Sequence, residues 1–173
     1  GGMLVALADL KTIKLILKDR ELDLSIAGIN GPRQIVLSGK VSEIKKLESI
    51  LTKQEIRAIP LNVSHAFHSK LMQPICDEFK AIASEIEFNA PQIKLLSNVT
   101  GDFIKAGQIT ADYWVDHILS TVNFYGCVKT IEQAGCDLFC ELGPDGTLSG
   151  LASQSITNSD AQFIHSLSKE ERE

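Results

Sequence analysis

The chain has 173 residues and a formal net charge of −5, from 17 Lys and Arg against 22 Asp and Glu. With 44% hydrophobic and 23% charged residues its usage is ordinary for a globular protein, which excludes a disordered chain, a collagen-like repeat and a coiled coil. The acidic balance argues against a dedicated nucleic-acid binder, and the length suits one domain, or one with a small appendage, able to bury roughly two-thirds of its unfolded surface without disulfides or metal.

Met3–Leu7 is a short apolar run read as a strand. From Asp9 to Leu17, Leu10, Ile13, Leu15, Ile16 and Leu17 oppose Lys11, Lys14 and Lys18, the pattern of a short amphipathic helix. Leu22, Leu24 and Ile26 alternate with polar residues as a strand, Asn30-Gly31-Pro32 reads as a turn, and Gln34–Ser38 as a second strand closed by Gly39. Val41–Lys53 reads as a helix with Ser42 as its N-cap, and Ile56–Val63 as a further strand. The order is β-α-β-β-α-β, the ferredoxin-like arrangement, which predicts a small antiparallel sheet with two helices on one face.

The rest of the chain reads differently. Ser69–Glu87 has a long helical pattern, with Leu71, Met72, Ile75, Phe79, Ile82, Ala83 and Ile86 on one stripe, and Pro91 ends it. Ile93–Leu96 reads as a short buried strand, followed by a turn at Asn98–Asp102. Thr110 is the expected N-cap of a helix to about Leu119, and a second helix covers Phe124–Ala134. Leu138–Leu142 is an apolar strand, Gly143-Pro144-Asp145-Gly146 a sharp turn into a helix ending near Ser153, and Ala161–Leu167 a last strand. Alternating strands and helices point to parallel α/β packing, with a charged tail at Lys169–Glu173 expected to fray.

Cys76, Cys127, Cys136 and Cys140 form no C-x-x-C pair, so buried free thiols in a reducing compartment are expected rather than a zinc site. Gly1-Gly2-Met3 lacks the charged region and long apolar core of a signal peptide, and no apolar stretch approaches the ~20 residues that span a membrane. The expectation is a soluble cytoplasmic protein with no membrane or nucleic-acid partner.

Two of the four histidines share one loop, Ser64-His65-Ala66-Phe67-His68-Ser69, at a strand-to-helix junction. Such a loop is well placed for chemistry, and an imidazole near its ordinary pKa suits a general base serving a Ser or Cys nucleophile. On spacing alone, Ser69 capping the helix with His65 and His68 as plain loop residues accounts for the same pattern. A metal at His65 and His68 has little to recommend it, since no carboxylate or thiol stands beside them.

The stretch S-H-A-F-H-S-x-L-M-x-P at Ser64–Pro74 resembles the histidine motif of acyltransferase domains from modular polyketide synthases, which are similar to malonyl-CoA:acyl carrier protein transacylases. Met3–Val5, Ile29–Gly39 (INGPRQIVLSG), Ser97–Gly101 (SNVTG), Tyr113–Val122 (YWVDHILSTV) and Glu141–Leu148 (ELGPDGTL) resemble further blocks of that family in its own order. The resemblance implies an α/β fold: a ferredoxin-like subdomain at residues 1–62, followed at 63–168 by the C-terminal part of an α/β-hydrolase-like parallel-sheet core, with 169–173 as a tail. It also implies a malonyl group passing from malonyl-CoA, through a serine ester, to the phosphopantetheine thiol of an acyl carrier protein. His68 matches the general base and His117 the residue whose backbone carbonyl orients it; His65 and Phe67 match acyl-specificity positions, and Asn30 an asparagine lining the acyl and pantetheine tunnel. A turn residue beside Gly31-Pro32 accounts equally well for Asn30. No bound cofactor and no metal are implied.

The sequence also departs from the family. No G-H-S-x-G occurs, and the glutamine motif of the oxyanion hole and the arginine for the malonyl carboxylate are absent. In the family all three precede the position of Met3, and the usual proline of the His117 block is Thr121 here. The expectation is therefore the C-terminal portion of an acyltransferase, inactive alone and completed by an N-terminal half of the same domain. The alternatives are a non-catalytic remnant that docks a carrier protein or separate transacylase, and an unrelated domain sharing only the β-α-β-β-α-β unit.

Overall fold

A computed structural model describes residues 1–167. The tail expected at Lys169–Glu173, and residue 168 of the second unit, lie outside the described residues.

The first unit runs β1 (Gly2–Ala6), α1 (Leu10–Asp19), β2 (Leu24–Gly31), β3 (Gln34–Gly39), α2 (Val41–Lys53) and β4 (Ala58–Leu61). Its four strands form one sheet in the order β2-β3-β1-β4, every neighbouring pair antiparallel. One sheet face presents Leu4, Ala6, Ile35 and Leu37 to Ile13 and Ile16 of α1 and to Ile44, Leu47 and Leu51 of α2. The 3.6-residue repeat of both helices thus meets the two-residue repeat of the strands in one core. Met3, Val5, Ala27 and Val36 cluster on the opposite face.

Local chemistry sets the helix ends. Asp9 caps α1, accepting the Thr12 N–H at 2.9 Å, which holds its carboxyl below the usual range. Ser42 is not the cap of α2. The helix starts at Val41 and its cap lies two residues before Ser42, at an extended Lys40 whose carbonyl takes the Glu43 and Ile44 N–H groups. Asn30 and Gly31 are the end of β2 rather than a turn. The reversal is made by Pro32 and Arg33, with Gly31 opposite Gln34, because proline supplies the fixed φ of the turn.

The long helix expected over Ser69–Glu87 is shorter and split. Lys70–Ile75 is a 3-10 turn with Pro74 inside it, and α3 covers only Cys76–Ala83. Pro74 has no N–H to give Lys70, so the first turn tightens to bonds such as Met72 N–H to Ser69 carbonyl at 3.0 Å. Ile93–Leu96 is no buried strand. Ile93 is 84% exposed, and only Leu96 pairs, in a lone bridge with Phe103.

Beyond these come α4 (Ala111–Leu119), α5 (Phe124–Gln133), β5 (Leu138–Glu141), α6 (Thr147–Ser153) and β6 (Gln162–His165). β5 and β6 pair in parallel, with Phe139 stacked on Phe163 at 5.0 Å. A two-stranded sheet covers little, so Cys136 and Cys140 are exposed, against the expected burial, and only Cys76 and Cys127 are buried thiols. Among the described residues no helix is long and apolar enough to cross a membrane.

Candidate active site

The loop between β4 and the 3-10 turn is pinned at two small buried residues. Ser69 Oγ donates to the Ala66 carbonyl at 2.6 Å and accepts the Leu71 N–H at 3.3 Å. The serine therefore both caps the turn and closes the loop, leaving Phe67 and His68 projecting between the pins. Phe67 is exposed, and its ring lies 5.9 Å from that of His65. His65 Nδ1 shares a hydrogen bond with Ser64 Oγ at 2.9 Å.

His68 has φ 55°, in the left-handed region that a residue with a Cβ enters only at a cost of about 1–3 kcal/mol. That conformation is matched by a long-range contact: His68 Nδ1 stands 3.1 Å from the backbone carbonyl oxygen of His117. A carbonyl only accepts, so Nδ1 carries the proton and Nε2 keeps its lone pair. The two rings lie edge to face at 6.0 Å, and Tyr113 and Trp114 pack on His117. Burial, and then the nearby His68, hold the His117 imidazole below its ordinary pKa.

The helix that carries His117 is set by the Ser97–Gly101 turn. Thr110 caps α4 through the Tyr113 N–H, and Tyr113 Oη donates to the buried Ser97 Oγ at 3.0 Å. Ser97 Oγ also accepts the Val99 N–H at 3.1 Å, while Asn98 and Gly101 carbonyls take Asn123 N–H and Thr130 Oγ1 of the α5 region. Gly101 has φ 76°, and a Cβ there would stand 2.5 Å from Asn123 Nδ2, so both conformation and space call for glycine.

His65, Phe67, His68 and His117 are thus brought together. Asn30 stands apart on β2, with its side-chain oxygen over Gly28, and no hydrogen bond joins it to His65, Phe67 or His68 among the described residues. The ELGP segment serves as a cap: Glu141 accepts the Leu148 and Ser149 N–H groups at 3.1 and 2.7 Å, which lowers its pKa. Sequence reasoning missed the Ser97–Tyr113 bond and a bond from Thr121 Oγ1 to the Ile26 carbonyl at 2.6 Å. Partners 16 and 95 residues apart leave no local periodicity to read. Among the described residues no group of three or more His, Cys, Asp and Glu is placed to hold a metal ion.

Comparison with known proteins identifies the family. The acyl transferase domain family matches the chain over residues 1–173. The phenolphthiocerol synthesis polyketide synthase type I Pks15/1 of Mycobacterium marinum is 36% identical over 175 residues, covering 100% of this chain and 8% of that protein. Polyketide synthase GfsB of Streptomyces halstedii is 37% identical over 155 residues, covering 87% of this chain and 3% of that protein. The acyltransferase domain from the second module of the salinomycin polyketide synthase superposes with a TM-score of 0.92 at 32% identity, over 98% of this chain and 40% of that one. The malonyl CoA-acyl carrier protein transacylase of Clostridium perfringens, at 24% identity and a TM-score of 0.89, shares the fold over 98% of this chain and 54% of that one. The chain belongs to the acyl transferase domain family and spans a fraction of the length of each of these relatives.

Proposed function

We propose that this chain is the base-bearing part of an acyl transferase domain that loads a malonyl group from malonyl-CoA onto the phosphopantetheine thiol of an acyl carrier protein. The observation that carries the reading is the 3.1 Å contact of His68 Nδ1 with the His117 carbonyl. With its proton held at Nδ1, His68 offers Nε2 as the base. The nucleophilic serine lies outside this chain, because no G-H-S-x-G is present. Its Oγ attacks the thioester carbon while Nε2 takes its proton, and the CoA thiolate leaves with that proton. Nε2 then takes the proton of the carrier thiol, whose sulfur displaces the serine Oγ from the acyl ester, and the serine is reprotonated.

A carbonyl serves as orienter because it fixes the tautomer without adding charge. His65 and Phe67 are the proposed acyl-selecting residues. Phe67 takes up the space of a branching methyl, a preference of only ~1–3 kcal/mol. Asn30 is the proposed tunnel residue. In this reading residues 1–62 are the ferredoxin-like subdomain, 63–168 the C-terminal part of the α/β-hydrolase-like core, and 169–173 the tail. No bound cofactor or metal takes part, and the site of action is the cytoplasm. The antiparallel β-α-β-β-α-β sheet and the parallel β5–β6 pair support that division.

The test is transfer of radiolabelled malonyl from malonyl-CoA to a holo carrier protein. The complete domain is expected to transfer and its His68→Gln variant to fail, while the 173-residue chain alone stays blank. Turnover by this chain alone that depends on His68 overturns the placement of the nucleophile. Full activity of the His68→Gln domain overturns the assignment of the base.

A further inference from the structure

The carbonyl that holds His68 lies in the last turn of α4, where it has no helical partner. In an α-helix each carbonyl accepts the N–H four residues on, and the last four are left without a helical partner. Ser120 N–H makes the final such bond of α4, to the Asp116 carbonyl at 2.7 Å. The next in the series would be Thr121 N–H to the His117 carbonyl. It does not form: Ser120 is extended, with φ −81° and ψ 156°, and the chain leaves the helix axis.

What takes the chain away is the edge of the small sheet. β2 is an outermost strand, so one side of it has unpaired backbone groups. Val122 N–H donates to the Ala27 carbonyl, and Ile29 N–H to the Val122 carbonyl, both at 2.9 Å, forming a short parallel bridge at Gly28. Thr121 Oγ1 extends the seam by one bond, donating to the Ile26 carbonyl at 2.6 Å. Ile26 and Gly28 flank a register shift between β2 and β3, where a strand turns its polar groups out of the ladder. The carbonyls of Ile26 and Ala27 and the amide of Ile29 are thereby taken up by two residues, 121 and 122.

We propose that Thr121 is a positioning residue. Its hydroxyl clasps the end of α4 to β2, stops the helix at Leu119, and so keeps the His117 carbonyl free to hold the proton of His68 at Nδ1. It touches no reacting atom and acts through the backbone of His117. The small sheet then does more than flank the site: its edge sets the tautomer of the base. This inference rests on the reading of His68 above.

The tautomer can be observed directly. Solid-state 15N NMR of the histidine-labelled chain, at a pH above the ordinary His value of about 6.5, separates Nδ1–H from Nε2–H whatever the association state. The His68 signals are identified by their loss in His68→Gln. The unsubstituted chain is expected to show Nδ1–H at His68. Thr121→Val, which keeps the shape and removes the hydroxyl, is expected to lower the Nδ1–H to Nε2–H ratio by roughly fivefold, the size of one lost hydrogen bond. Thr121→Ser is expected to restore it. An Nε2–H signal in the unsubstituted chain overturns the His68 reading itself. Nδ1–H in both the unsubstituted chain and Thr121→Val, or an equal loss in Thr121→Ser, overturns the clasp alone. Hydrogen exchange of the unsubstituted chain gives a second measurement, independent of any variant. The Val122 amide is expected to exchange as slowly as those of β2, and exchange at the rate of an exposed loop overturns the clasp.

Discussion

The side chain of His68 and the backbone carbonyl of His117 meet at 3.1 Å across 49 residues of chain. The bond joins a loop residue with φ 55° to the last turn of α4, so a side chain on one element takes its tautomer from the main chain of another. The His117 imidazole is not part of that bond.

Side-chain and backbone roles at position 117 are therefore separable. In the complete domain, His68→Gln is expected to lower malonyl transfer by about 10²–10⁴-fold, the usual contribution of a positioned base. His117→Gln keeps the carbonyl and is expected to cost far less. A loss at position 117 equal to that at 68 in kcat would show that the imidazole, not the carbonyl, matters.

Acid should weaken the fold through the same residue. Burial and the neighbouring His68 hold His117 below its ordinary pKa, so the folded chain binds that proton less tightly than the unfolded one. Its contribution is complete above about pH 6.5 and is lost as pH falls through the lower folded value. The urea midpoint is expected to drop between about pH 7.5 and pH 5.5. His117→Gln is expected to flatten that drop, and an unchanged slope in the variant refutes the assignment.

The apolar stripe beyond His68 has a physical consequence. Ile82 and Ile86 are 60% and 56% exposed, Leu71 and Ile75 are exposed as well, and Leu142 beyond β5 is 85% exposed. Apolar patches of this kind drive association. Sedimentation of the 173-residue chain at micromolar concentration is expected to show self-association that Ile82→Lys with Ile86→Lys reduces. A single monomer boundary for the unsubstituted chain contradicts this.

The four thiols are expected to divide into two classes. Burial raises the Cys127 thiol and encloses Cys76, whereas Cys136 and Cys140 are exposed. An aromatic disulfide reagent should modify two thiols rapidly in the folded chain and the other two only in denaturant. Four equally fast reactions would place Cys76 and Cys127 on the surface.

Much of the small unit was legible in the sequence, for a local reason. Leu10, Ile13 and Ile16, and then Ile44, Leu47 and Leu51, repeat at helical spacing because one sheet face absorbs them all. Thr110 and α4 were equally plain, since a cap and its helix are neighbours in the chain. The stretch from Ser69 to Glu87 was misread because its apolar stripe implies one helix, while Pro74 removes the bond that helix needs. Ser42 was misread as a cap because cap propensity does not say where the backbone enters the helix.

For the candidate site, the sequence determined which groups are available: two histidines in one strand-to-helix loop, and a family resemblance that singled out His68 and His117. Tertiary structure alone decided the chemistry between them. That α4 ends one residue too soon to occupy the His117 carbonyl depends on Thr121 and Val122 finding the edge of β2. A hydrogen bond across 95 residues leaves no trace in spacing or periodicity, because its geometry exists only once both elements have packed.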